Sequence, residues 1–211
     1  FDGAWVNDID ATNRVVVQDV INNKVQANEP MRMKIVANGK EASMYYARYN
    51  ADGSLGEFKH VITIDNIPAS SQSGSVGLAV GNGTTMWMDN LKVTRNLDVE
   101  ESKHSLMSID FNEYTGENTA TLASGLNAEH YNLNFVKTNG SNASVELKEG
   151  RMYMTGNQYD IVYFDWKDAQ HWVDYVVEAD IAYTNPAYWY GMLYRVQEGG
   201  TSAQKGNIYY D

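Results

Sequence analysis

The sequence has no cysteine among its 211 residues. Disulfides, zinc–thiolate centres and thiol nucleophiles are therefore excluded, and stability must come from packing and hydrogen bonds alone. Proline is nearly as scarce, at three residues, so little in the chain interrupts regular hydrogen-bonded structure. Positive charge is thin: 16 Lys and Arg face 27 Asp and Glu, for a formal net charge of −11. Nucleic-acid binding needs clustered cations against phosphate, so the balance argues against that partner. It argues against an anionic membrane surface for the same reason. No apolar run approaches the roughly 20 residues of a helical membrane span, so membrane insertion is not expected. The sequence reads from Phe1 rather than Met, and no leader peptide is expected within it. It reads as a mature product or an excised piece of something longer.

What is present is the material of strands and turns. Tyr occurs 15 times and Gly 17 times, a mixture that favours half-buried pleated strands joined by Gly and Asn turns. Alternation with period two dominates, and no long stretch has a helical period. In the clearest hairpin Met31, Met33 and Ile35 share one face while Arg32 and Lys34 point the other way. Asn38-Gly39 supplies its tight turn, and 42–49 returns. Further strands are expected at 58–64, 76–80, 86–93, 106–111, 145–147, 151–154, 172–183 and 188–197. Residues 112–129 read as a long loop. Between the halves, 96–104 is charged and lacks apolar periodicity, which marks a linker.

Several of these segments resemble concanavalin A-like lectin and glucanase domains, the laminin-G-like modules included. Met31-Arg-Met-Lys-Ile-Val-Ala-Asn-Gly-Lys40, Gly74-Ser-Val-Gly-Leu-Ala-Val80 and Met86-Trp-Met-Asp-Asn-Leu-Lys-Val93 are similar to hairpins and strands that close such a domain. Ile109-Asp-Phe-Asn112, Tyr175-Val-Val-Glu-Ala-Asp-Ile181 and Gly191-Met-Leu-Tyr-Arg-Val196 are similar to strands that open one. The resemblance implies an all-β, antiparallel two-sheet β-sandwich of the jelly-roll kind. It also implies a permuted order: residues 1–95 are the closing half and 105–211 the opening half, together about one sandwich. The halves would pair within one chain or between successive units of a tandem array. Exchange between identical units propagates into a fibre when its geometry does not close.

Three chemistries are candidates. Retaining glucanases of the resembled fold carry Glu-x-Asp-x-Glu, with the two glutamates about 5–5.5 Å apart as nucleophile and acid. Here the run is Glu178-Ala-Asp180-Ile-Ala182, so the second acid is missing and a catalytic role is not expected. Glu178 and Asp180 read instead as solvent-face carboxylates, with Arg195 on the next strand as counter-ion. Second, Trp172 and Trp189 with Glu178, Asp180 and Arg195 would make a carbohydrate-binding platform, because sugar C–H faces stack on aromatic rings. The competing reading makes those aromatics core. Third, Asp89 on the last strand of the first half, with Asp110 and Asn112 at the first strand of the second, offers hard oxygen ligands for Ca²⁺. The four histidines have no metal-ligand spacing. The expectation is a secreted or cell-surface module for adhesion or carbohydrate binding, whose partners are a glycan or neighbouring copies of itself. An enzyme of the same fold and a structural spacer are the alternatives.

Overall fold

The structure, a computed structural model, describes residues 26–67, 69, 72–81, 83–96, 105–122, 131, 133–136, 141–156, 160–164, 168–185, 190–196 and 209–210. Within them the chain is all-β. Its strands are β1 (Met31–Asn38), β2 (Glu41–Arg48), β3 (Lys59–Ile64), β4 (Ser75–Val80), β5 (Thr85–Arg95), β6 (Ser105–Ile109) and β7 (Ala120–Leu122). There follow β8 (Leu133–Val136), β9 (Ser144–Lys148), β10 (Arg151–Thr155), β11 (Asp160–Phe164), β12 (Tyr175–Asn185), β13 (Tyr190–Val196) and β14 (Tyr209–Tyr210). They form two antiparallel sheets. A nine-stranded sheet runs β3-β2-β1-β12-β5-β10-β9-β7, with β6 also paired to β5. A five-stranded sheet runs β14-β13-β4-β11-β8.

Period-two alternation explains why the sheets stack. Met33, Ile35 and Ala37 of β1 lie in one buried cluster with Tyr175, Val177, Ala179 and Ile181 of β12. Val76, Leu78 and Val80 of β4, Val162 and Phe164 of β11, and Met192 and Tyr194 of β13 join the same cluster. Each inward face is a row of apolar side chains that only a second apolar face can cover, which is the driving force for a sandwich.

Strands of the two halves interleave in both sheets. β12 lies between β1 and β5, and β4 lies between β11 and β13. Apart from Asn96, whose N–H donates to the Asp174 carbonyl at 3.1 Å, the expected linker 96–104 lies outside the described residues.

The expected hairpin at 31–49 forms, but Asn38 pairs with Glu41, so the two turn residues are Gly39 and Lys40 rather than Asn38 and Gly39. Gly39 takes φ +52°, and nothing lies within 4 Å of where its Cβ would be. A Gly39→Ala substitution therefore tests backbone strain without packing. The expected cost is about 1 kcal/mol, read as a shift in the urea midpoint at unchanged slope.

Four further expectations are corrected. The loop over 112–129 contains β7, and β8 and β11 were not expected at all. These strands are short, and β11 carries a charged residue, Asp160, at its first position. Asp160 is fully buried and its Oδ2 accepts from Ser141 Oγ at 2.7 Å. Such a residue reads as exposed loop unless its partner is known. Finally, β12 begins at Tyr175 rather than Trp172, because a 3₁₀ turn over Ala169–His171 precedes it.

Candidate functional site

The nine-stranded sheet has a second face, turned away from the core. Alternation places Arg32, Lys34 and Val36 of β1 there, with Val176, Glu178, Asp180 and Ala182 of β12 beside them. Between β12 and β5 the register shifts: Glu178 pairs with Lys92 and Asp180 with Asp89. One extra β5 residue is accommodated by Asn90, which adopts φ +50°. This bulge keeps both Met88 and Leu91 in the core, and it aims Asp89 and Asn90 at the outer face.

At that bulge a polar network crosses four strands or their ends. Asp180 is only 5% exposed. Its Oδ1 accepts from Arg32 Nε at 2.9 Å and from Tyr49 Oη at 2.5 Å. Its Oδ2 accepts from Arg32 Nη2 at 2.7 Å and from Asn90 Nδ2 at 2.8 Å. A carboxylate with four donors satisfies the requirement that a buried charge be paired and hydrogen-bonded.

The electrostatics follow. Burial alone would raise the Asp180 pKa and is its largest single influence. Hydrogen bonds from Arg32, Tyr49 and Asn90, with the Arg32 charge, outweigh it and hold the carboxyl below its usual range. Burial, the hydrogen bond to Asp180 and its negative charge push the Tyr49 phenol up to about 12. The Arg32 guanidinium is stabilised first by its hydrogen bond to Asp180. Asp89 moves the opposite way: burial raises its pKa, the backbone N–H of Asn90 opposes, and the neighbouring Asp180 charge raises it further.

Aromatic rings flank the network on both sides. Toward the β3 edge, Lys34 Nζ lies 3.9 Å from the Phe58 ring centroid and 4.8 Å from that of Tyr45. The Tyr45 ring meets His60 edge-on at 5.2 Å. On the other side Trp87 pairs across the sheet with Ala182 and Tyr153. The Arg151 guanidinium caps its ring at 4.1 Å, a cation–π contact.

The residues singled out from sequence divide. Asp180 and Glu178 are both on the outer face of the sheet, but Asp180 is buried beneath its donors rather than a solvent-face carboxylate, and its counter-ion is Arg32, not Arg195. Arg195 lies on β13 in the other sheet and is fully buried. Trp172 is 9% exposed, belongs to the core cluster and packs edge-on against Tyr175 at 6.1 Å. It therefore shares no surface with Glu178. Trp189, with its neighbour Tyr188 and with Trp166, lies outside the described residues.

Asp89 and Asp110 do come near each other, because β5 pairs with β6 and Leu91 faces Ile109. The backbone N–H of Asn112 donates to Asp110 Oδ1 at 3.2 Å. Among the described residues, no group of three or more Asp, Glu or His side chains is arranged to hold a metal ion. Arg32, Tyr49 and Asn90 were not among the expected site residues; Trp87, covered by Arg151, is as buried as Trp172 and offers no open ring face. The outward direction of Arg32 was legible from alternation; its partner on β12, 148 residues away, was not.

No protein-family model matches this chain, and no curated protein matches it.

Proposed function

We propose that the chain is a non-catalytic, concanavalin A-like jelly-roll module of a secreted or cell-surface protein. It acts in adhesion by contacting glycans on the outer face of its nine-stranded sheet. The observation that carries this reading is the Asp180 network. It holds Arg32, Tyr49 and Asn90 in fixed positions on a sheet, beside half-buried aromatic rings. A guanidinium has five N–H donors and a phenol retains acceptor capacity after donating its proton. Hydroxyl-rich ligands meet such groups at little ordering cost when the groups are already fixed.

The ligand class is a neutral sugar. Asp89, Asp110 and Glu178 share or border this face, and the positive charge of Arg32 is already matched by Asp180. Glu178 in turn lies between Lys34 and Lys92 across the sheet, so the face carries no excess of positive charge that would select an anionic polysaccharide. The non-catalytic part of the reading draws on Asp180 itself. Each of its oxygens already accepts two hydrogen bonds, which leaves it poorly placed to attack or to carry a proton. Ala182, where a second acid would stand, is fully buried.

Affinity electrophoresis on neutral glucan, mannan and xylan tests the reading. Retardation by at least one polymer is expected, weakened about tenfold by Tyr49→Phe, which removes one donor to Asp180 and one ligand contact. No retardation by any neutral polymer would discard it. One observation favours a hydrolase instead: Asp89 and Asp180 are cross-strand neighbours whose pKa values are driven apart, the pattern of an acid and its partner. Release of reducing sugar that vanishes in Asp89→Asn would establish that alternative.

A further inference from the structure

We infer that a second copy of this chain is a partner, and that assembly occurs by exchange of consecutive halves rather than by surface docking. The argument is topological. Among the described residues, the five strands before residue 96 and the nine after residue 104 are two unbroken blocks of sequence. Within those residues each block holds only part of either sheet: β3-β2-β1 in the first and β10-β9-β7 in the second are continuous, and the remaining strands are joined through the other block. In the first block β5 is separated from β1 by β12, and β4 pairs only with strands of the second block. In the second block β13 and β11 are joined only through β4, and β12 is joined to β10 only through β5.

Each block therefore leaves both edges of a central strand unpaired until the other arrives. Unpaired buried backbone groups are costly, so a block alone is a template for pairing, and its complement is the partner that fills both edges and the core together. That complement is defined by sequence, and every copy carries it. The same hydrogen bonds and the same core form whether the two blocks come from one chain or from two. What distinguishes the outcomes is concentration. The nine residues 96–104 tether the blocks at an effective concentration of order millimolar. Dilute chains close on themselves, and chains crowded above that level pair with neighbours. Two copies exchanging reciprocally give a closed dimer, and non-reciprocal exchange gives an open chain of units. This inference does not depend on the glycan reading, since it concerns the strand order and not the outer face.

The absence of cysteine makes the test clean. Lys34 and Glu178 are cross-strand partners on β1 and β12, one in each block. Chains carrying Lys34→Cys are mixed with chains carrying Glu178→Cys, unfolded together, refolded at ~10 μM or at ~1 mM, and oxidised. An inter-chain disulfide forms only where β1 of one copy lies beside β12 of another. Light scattering should show single chains after dilute refolding. After concentrated refolding it should show dimers and larger species, carrying the mixed disulfide. The double variant, refolded dilute, closes the disulfide within one chain and sets the yield for a correctly placed pair. Single-chain mass at both concentrations would overturn the inference. Larger species with less than about a tenth of the reference disulfide yield would overturn it as well, because association would then be by surfaces.

Discussion

Asp180→Ala is expected to cost the fold about 3 kcal/mol, measured by urea denaturation, and to lower the melting temperature by about 6–12 °C. Removing one partner of a buried ion pair strands the other, and the usual cost is roughly 3–5 kcal/mol. The lower end applies here because the Arg32 side chain is 26% exposed and recovers part of its hydration. Tyr49 and Asn90 lose their acceptor in the same stroke. Asp180→Asn keeps the shape and part of the hydrogen bonding, so its loss should be about half as large. A loss under 1 kcal/mol for the alanine variant would mean that water already solvates the cluster.

The same residue sets a pH signature. The folded pKa of Asp180 lies below its unfolded value of about 3.9. Its stabilisation is therefore fully present above that unfolded value and is lost as pH falls through the folded one. Asp89 has the opposite sign. Its folded pKa is raised, so its ionised form costs stability at neutral pH, and the cost disappears as pH falls through that raised value. Acidification should first relieve Asp89 and only below about pH 4 penalise Asp180. Asp180→Asn should remove the second limb and leave the first, made smaller because the Asp180 charge no longer helps to raise Asp89.

The contrast between Asp180 and Arg195 shows what a sequence can and cannot convey. Alternation along β12 put Tyr175, Val177, Ala179 and Ile181 inward and Glu178 and Asp180 outward, and the core bears that out. Which cation faces Asp180 depends on which strand lies beside β12, and that is a matter of long-range register. The following strand, β13, was the natural guess because sequential strands are often neighbours. It belongs to the other sheet, and β1 fills the place instead. Trp172 failed for a different reason. It is the extended C-cap residue of the 3₁₀ turn over Ala169–His171, three residues before β12 begins, so the alternation of β12 does not set its direction. The Asn90 bulge has a trace in the sequence: Met88 and Leu91 are three apart, which breaks strict alternation unless one residue is extra.

Gly77→Ala should be as damaging as the loss of Asp180, through packing rather than charge. Gly77 sits in β4, the strand inserted between β13 and β11, and every residue of β4 is buried. A Cβ built there would lie 2.2 Å from the Val162 carbonyl oxygen and within 2.9 Å of both Cα and Cβ of Tyr163, its cross-strand partner. Two of those three atoms are backbone, so no rotamer change relieves the contact. β4 and β11 must separate, at the expense of ladder hydrogen bonds and of the core beneath Leu78 and Val162. Overpacking of this kind costs roughly 1–3 kcal/mol, and a backbone clash belongs at or beyond the upper end. The expected loss is about 3 kcal/mol, with a melting temperature lower by about 6–12 °C. Gly116→Ala is the control: unlike Gly77, Gly116 has a positive φ of +62°, and nothing lies within 4 Å of its would-be Cβ, so it reports backbone strain without a clash. Its cost should stay near 1 kcal/mol. Because β4 is the strand that the first block contributes to the second block's sheet, Gly77→Ala should also depress co-refolding of exchanged species at ~1 mM, whereas Gly116→Ala should leave their yield unchanged.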